Sequence, residues 1–145
     1  MIDKIHHIGI AVRNLDESLK FYRDTLGLHV HALDTVEDQG VRAALLTIGD
    51  SEIELLEPTS PEANMAKFLE RKGEGLHHIC FQTPDVDGDL EQLKSKGVDM
   101  VDQKSRKGLA GMICFLHPKS SRSVLVELAT PLDIYKGPGR LRRSR

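Results

Sequence analysis

Short apolar runs separated by turn residues organise the first half of the chain. The segment around 4–12, KIHHIGIAV, is rich in Ile and Val and has the length of a strand. Asn14 follows, with Glu17 three residues on, the spacing of a capping box in which each side chain reaches an unpaired backbone N–H of the first helical turn. Leu15, Leu19, Tyr22 and Leu26 then recur at helical spacing on one face, and Gly27 stands where a left-handed residue closes a helix. Segments 28–36, 41–48 and 51–57 have strand character, and Gly49-Asp50 marks a tight turn between the last two. The pattern predicts β-α-β-β-β.

The chain then repeats itself. Residues 5–12 read IHHIGIAV and residues 76–83 read LHHICFQT; NLDESLKFYRDTLGL follows the first and DVDGDLEQLKSKGV the second. His6 matches His77, His7 matches His78 and Leu19 matches Leu90, all at an offset of 71. Later in each half EIELLEP (52–58) matches VLVELATP (124–131), pairing Glu54 with Glu127 and Pro58 with Pro131 at an offset of 73. Two correspondences in the same order at nearly equal offsets indicate a duplicated unit. Between the copies, Ser60-Pro61 has the signature of a helix start, Ser as cap and Pro at the first position, and predicts a linker helix to about Arg71. The second copy predicts a strand near 76–83, a helix over 86–96, and strands near 99–103, 112–117 and 123–129. Two tandem βαβββ modules make an α+β fold.

Composition narrows the function classes. The 145 residues are 39% hydrophobic and 29% charged, ordinary for one soluble globular domain. A formal net charge of −2 gives no reason for a nucleic-acid partner, and the absence of Trp argues against a base- or sugar-stacking platform. No apolar run approaches the roughly 20 residues of a membrane helix. The N-terminal MIDKIHHIGIAV carries charge and histidine where a secretory signal has an apolar stretch, so a cytoplasmic location is expected. Cys80 and Cys114 lie in apolar runs without CxxC spacing and read as buried, reduced thiols.

Four polar residues stand inside otherwise apolar strands: His7 before IGIAV, Glu54 in IELL, His78 before ICF and Glu127 in VELA. Strand side chains alternate faces, so His6 and His7 should point opposite ways, as should His77 and His78, and only one of each pair reaches an interior site. An ionised carboxylate among Leu and Val neighbours is costly to bury unless paired or metal-bound. Taken singly, each residue has an ordinary reading as a solvent-facing or hydrogen-bonded strand residue. The repeat, His then Glu in each copy, favours one shared metal site instead. Imidazole and carboxylate ligands suit Zn, Mn, Co, Ni or Fe(II) and do not name the metal. His29 and His31, flanking Val30, are expected to face solvent. Lys119 and Arg122, after the turn at His117-Pro118, are weaker candidates for an anionic group. Gly108 and Gly111 around Leu109-Ala110 suggest a flexible loop, even a lid. The C-terminal IYKGPGRLRRSR reads as a solvated basic tail.

With these residues in view, the sequence resembles the vicinal oxygen chelate superfamily, which includes glyoxalases, bleomycin resistance proteins and dioxygenases. Within it the likeness is closest to the methylmalonyl-CoA epimerases. It covers roughly residues 3–131 and is carried by DKIHHIGIAVRNLDESLKFY, EIELLEP, GLHHICF and, most specifically, FLHPKSSRSVLVEL. The resemblance implies paired βαβββ modules, about 3–58 and 75–131, joined by a linker helix over about 60–72. They would form a single cup-shaped domain over 1–131 around one divalent ion (Co, Mn, Zn or Ni), with residues 132–145 as a basic tail. It implies His7, Glu54, His78 and Glu127 as ligands, an acyl-CoA substrate and a homodimer, with no nucleic-acid or membrane partner. Some epimerases carry a second catalytic glutamate after the Gly-Val of the third strand. Here that stretch reads GVRAALL and the matching position is about Ala43, so either Glu54 serves as second base or the proton relay differs.

The implied reaction interconverts the (R) and (S) forms of methylmalonyl-CoA by removing an α-proton from one face and returning one to the other through a metal-stabilised enolate. A metal on the thioester carbonyl stabilises that enolate by several kcal/mol, and a positioned carboxylate contributes about 10²–10⁴ as general base. Glu127 is expected as one base, with Glu54 as the other or shaping the opposite wall; a pseudo-twofold repeat would set the two on opposite sides of the metal. The same ligands would serve a glyoxalase-type lyase acting on a glutathione hemithioacetal. An extradiol dioxygenase would need only His7, His78 and Glu127 around Fe(II). A drug-sequestering resistance protein of this fold would need no intact ligand set.

Overall fold

A computed structural model describes residues 1–137 of the chain. The described residues form two compact units, one of His6–Ile79 and the other of Met1–Ile5 together with residues 80–137. Strand β1 (Lys4–Ala11) leads into α1 (Leu15–Leu19), which continues as a π-helical segment over Lys20–Thr25. Then come β2 (His29–Val36), β3 (Val41–Ile48), β4 (Ser51–Pro58), α2 (Asn64–Lys72), β5 (Gly75–Gln82), α3 (Val86–Ser95), β6 (Arg106–Gly108), β7 (Gly111–Leu116) and β8 (Val126–Thr130). Within the His6–Ile79 unit the hydrogen-bonded strand neighbours run β2-β3-β4-β1-β5, and within the other unit β8-β7-β6.

In the His6–Ile79 unit, β3 is antiparallel to β2 and β4, and β4 is parallel to β1 in a register that sets His7 beside Glu52 and Gly9 beside Glu54. Asn14 caps α1 by accepting the Glu17 N–H at 3.0 Å. The Glu17 carboxylate binds Lys20 at 2.9 Å. Leu15 and Leu19 pack with Val12, Ala44, Leu46 and Leu55 into one apolar cluster, and Tyr22, Leu28 and Val30 line its edge. Leu26 was expected on this face but is 53% exposed. The reason is the π-turn: the Leu26 N–H reaches back five residues to the Phe21 carbonyl, and that under-winding rotates Leu26 outward. Leu28 packs in its place. The linker helix also begins later than expected, at Asn64. The Ala63 N–H bonds the Ser60 carbonyl at 3.2 Å, so Pro61 occupies the second position of a turn, which suits its fixed φ as well as a helix start does.

In the second unit, α3 is capped by Asp85, which accepts the Gly88 N–H at 3.1 Å. Val86 and Leu90 pack against Cys114, Leu128, Met100 and Tyr135. β7 pairs antiparallel with both β6 and β8. No regular strand forms over 99–103; Met100 makes one bridge to Leu116. There Asp102 takes over the pairing with its side chain, accepting the Phe115 N–H at 2.8 Å and the Arg106 guanidinium at 2.9 Å. The strand appears instead at Arg106–Gly108, and Leu109-Ala110 forms the tight turn of the β6–β7 hairpin rather than a lid. Gly111 is obligatory in it: its φ is +127°, and a Cβ would stand 2.3 Å from the Thr130 carbonyl oxygen. Past Pro131 the chain is still packed, because buried Tyr135 donates its hydroxyl to Asp87 at 2.5 Å. Burial and the Asp87 bond raise its pKa above the ordinary value. The arginine cluster of the tail lies outside the described residues. Cys80 and Cys114 are buried, and burial, with Asp102 second, pushes the Cys114 thiol up to about 12.

One close approach ties strand packing to chemistry. A Cβ on Gly9 would lie 2.1 Å from the Cε1 of His78 and 2.3 Å from its Nδ1, so the imidazole occupies the space a side chain would fill. Gly9→Ala is expected to force the ring aside and to destabilise the fold by about 1–3 kcal/mol, the cost of overpacking. Leu55→Ala, at a fully buried core position, should cost about 2–5 kcal/mol. Urea unfolding of both variants checks these values.

Candidate metal centre

β1, β4 and β5 each bring one polar side chain to a buried point of the His6–Ile79 unit. His7 on β1 is 0% exposed, and Glu54 on β4 and His78 on β5 are buried with it. The Nε2 atoms of the two histidines lie 3.0 Å apart. Glu54 Oε1 is 3.2 Å from the Nε2 of His7 and 3.4 Å from that of His78. Three donor atoms from three strands thus converge on one point.

The triangle fits a metal by its chemistry. Imidazole and carboxylate ligands bind zinc at about 2.0–2.2 Å. Two donors at that distance lie roughly 3.0 Å apart when the angle between them is a right angle and about 3.4 Å when it is tetrahedral. The observed edges span that range. Two ring nitrogens at 3.0 Å cannot both present lone pairs unless a proton or a cation stands between them. A buried carboxylate also needs a charged or hydrogen-bonding partner to offset its desolvation.

Glu127 belongs to the second unit. It lies on β8 opposite Phe115 of β7 and is 4% exposed, the one carboxylate of that strand. Ala43, where a second glutamate would fall in some epimerases, is a fully buried core alanine of β3 with no proton to exchange. His29 and His31 are exposed, as expected, and His31 bonds Glu52 at 2.7 Å through its Nδ1. Lys119 pairs with Asp99 at 3.3 Å, and Arg122 has a left-handed backbone with φ of 58° after the helical turn Pro118–Ser121.

Strand alternation predicted that His6 and His77 would turn away from their neighbours. They do not. The Nδ1 atoms of His6 and His7 are 2.8 Å apart, and those of His77 and His78 are 2.9 Å apart, with each pair of rings nearly perpendicular. His6 is itself buried, and its Nε2 faces Glu52 Oε1 at 3.9 Å. Gly9, Glu52 and the outer histidines were not among the residues singled out for the site. One signal for the histidines was present: the doublet HH, not a single His, recurs in both copies.

Residues 6–116 match the sequence profile of the glyoxalase/bleomycin resistance protein/dioxygenase superfamily. The chain is similar to an ethylmalonyl-CoA/methylmalonyl-CoA epimerase of Cereibacter sphaeroides, 37% identical over 131 residues that cover 88% of this chain and 98% of the relative. It is 32% identical to the human mitochondrial methylmalonyl-CoA epimerase over 129 residues, 88% of this chain and 73% of the relative. Among solved structures it is similar to a methylmalonyl-CoA epimerase in complex with methylmalonyl-CoA and NH4+. The TM-score is 0.90 at 42% identity, with 94% of this chain and 100% of that one covered. The chain belongs to the glyoxalase/bleomycin resistance protein/dioxygenase superfamily and, within it, to the methylmalonyl-CoA epimerases.

Proposed function

We propose that this protein is a divalent-metal-dependent epimerase that interconverts the (R) and (S) forms of methylmalonyl-CoA. The observation that carries the reading is the buried triangle of His7, Glu54 and His78 in a chain 42% identical to an epimerase in complex with that thioester. The α-carbon of the substrate lies between a thioester carbonyl and a carboxylate, and its proton is too weakly acidic to leave unaided at neutral pH. A divalent ion held by the site residues supplies Lewis-acid polarisation of the thioester carbonyl.

The remaining work falls to the chain's own carboxylates. Inversion requires a base on one face of the α-carbon and an acid on the other, and the duplicated sequence supplies one strand glutamate per copy. In this proposal Glu127 is the fourth ligand and takes or returns the proton on one face. Glu54, with one oxygen in the triangle, serves the other. The electron pair of the broken C–H bond moves onto the carbonyl oxygen and returns to carbon when the second carboxyl gives up its proton. Two features support these roles: both carboxylates are buried, which favours proton transfer out of contact with bulk water, and position 43 carries alanine, which leaves Glu54 to fill the second role. The ion is Co, Mn, Zn or Ni in this reading. A cytoplasmic location and a homodimeric assembly belong to the same proposal.

In deuterated buffer, the metal-loaded protein is expected to exchange the α-proton of methylmalonyl-CoA and to leave the hemithioacetal of methylglyoxal and glutathione unturned. A chelator should abolish the exchange and Co²⁺ should restore it; exchange that survives complete metal removal would sink the metal-dependent reading. Glu127→Gln keeps an oxygen donor but no base, and should lower turnover by about 10²–10⁴-fold with metal still bound. Full turnover by that variant would remove Glu127 as a base.

A further inference from the structure

Each histidine of the triangle is backed by a second histidine next to it in sequence, and the arrangement occurs twice. At one corner Nδ1 of His7 lies 2.8 Å from Nδ1 of His6; at another Nδ1 of His78 lies 2.9 Å from Nδ1 of His77. The rings of the first pair meet at 85° and those of the second at 88°. Adjacent residues of a regular strand face opposite sides of the sheet, so two such contacts in matched places are not what strand geometry alone produces.

The proton inventory of imidazole makes the contacts directional. A neutral ring has one N–H and one lone pair. If Nε2 of His7 and of His78 offers its lone pair to a metal, each ring carries its proton on Nδ1, and that proton needs an acceptor. Nδ1 of the neighbouring histidine is positioned to be that acceptor. His6 then carries its own proton on Nε2, the nitrogen that faces Glu52 Oε1 at 3.9 Å, while the other oxygen of Glu52 is held by His31 at 2.7 Å. At that distance the carboxylate acts through its charge and not through a hydrogen bond, and its negative field favours the N–H on Nε2, the tautomer of His6 that accepts from His7. His77 is held by a different device, its ring edge-on to Phe68 with centroids 4.6 Å apart.

We propose that His6 and His77 are positioning residues of the metal centre, each accepting the Nδ1–H of the ligand histidine beside it and so turning that ligand's Nε2 lone pair toward the ion. The inference rests on the reading of His7 and His78 as ligands. Removing a hydrogen-bond partner of a ligating histidine typically weakens metal binding by about 10–100-fold. A purely packing role for the outer rings would leave metal affinity unchanged when an aromatic ring of similar size replaced them.

The test is titration of the metal-free protein with Co²⁺, followed by its visible absorption, in wild type and in Phe, Asn and Gln variants of both positions. His6→Phe and His77→Phe should raise the Kd for Co²⁺ by about 10–100-fold, with the melting temperature of the metal-free protein little changed. His6→Asn and His77→Asn place an amide oxygen near the old Nδ1 position and should recover most of the affinity; the Gln variants, whose oxygen falls near Nε2, should not. Phe variants that titrate like wild type, or Asn variants as weak as Gln, would overturn the proposal. Should the Phe variants fail to fold, the Asn-against-Gln contrast decides alone. If wild type binds no Co²⁺, the metal centre falls and this inference with it. If wild type binds and the Phe variants bind equally well, only the role of the outer histidines is lost.

Discussion

The approach of two imidazole nitrogens to 3.0 Å is the constraint on which the rest of the His6–Ile79 unit turns. Two Nε2 lone pairs at that distance repel unless a proton or a cation is shared between them, and no apolar packing gain would favour the arrangement for its own sake. Everything around it accommodates the cost. Gly9 leaves out a side chain so that the His78 ring fits against β1, and β4 presents Glu54 to both nitrogens. The neighbouring histidines meet the far sides of the two rings. Each of the two inner imidazoles is thereby met at both of its nitrogens.

The apolar framework is separate from this polar knot. α1 rests on β3 and β4 through Leu15, Leu19, Leu46 and Leu55, and α3 rests on β7 and β8 through Val86, Leu90, Cys114 and Leu128. Each unit therefore has its own hydrophobic anchor. The burial of aliphatic side chains by these helices supplies the stabilisation that offsets the desolvation of the charged groups. Such an arrangement lets the site residues be chosen for chemistry while the helices are chosen for packing. Position 43 illustrates the division: a residue that could have carried a base is here an alanine of the core.

The duplication was legible because its signals are local. Strand runs rich in Ile and Val, an Asn or Asp cap before each helix and a polar residue stranded among apolar ones all follow from spacing of a few residues. The places where the expectation failed are those where a distant partner decides. Leu26 leaves its helical face because a π-turn under-winds the chain. The run 99–103 loses its ladder to the Asp102 carboxylate, and Gly108 to Gly111 tightens into a hairpin because β7 pairs with β6. Ser60-Pro61 is a start signal shared by helices and turns, and the backbone bond from Ala63 chose the turn.

By itself, the sequence determined that a His and a Glu recur in each half inside apolar strands, and hence that a metal is the economical explanation of the four residues. That conclusion needs only alternation, burial cost and repetition, all of which are properties of the chain order. Tertiary structure alone decided which nitrogen of each histidine faces the others, that Gly9 is the gap a ring fills, and that His6 and His77 touch the ligands rather than turn away. Side-chain rotation about Cβ is not encoded in the alternation of a strand. It is settled by the strands and carboxylates that pack around it, and those come from residues far apart in the chain.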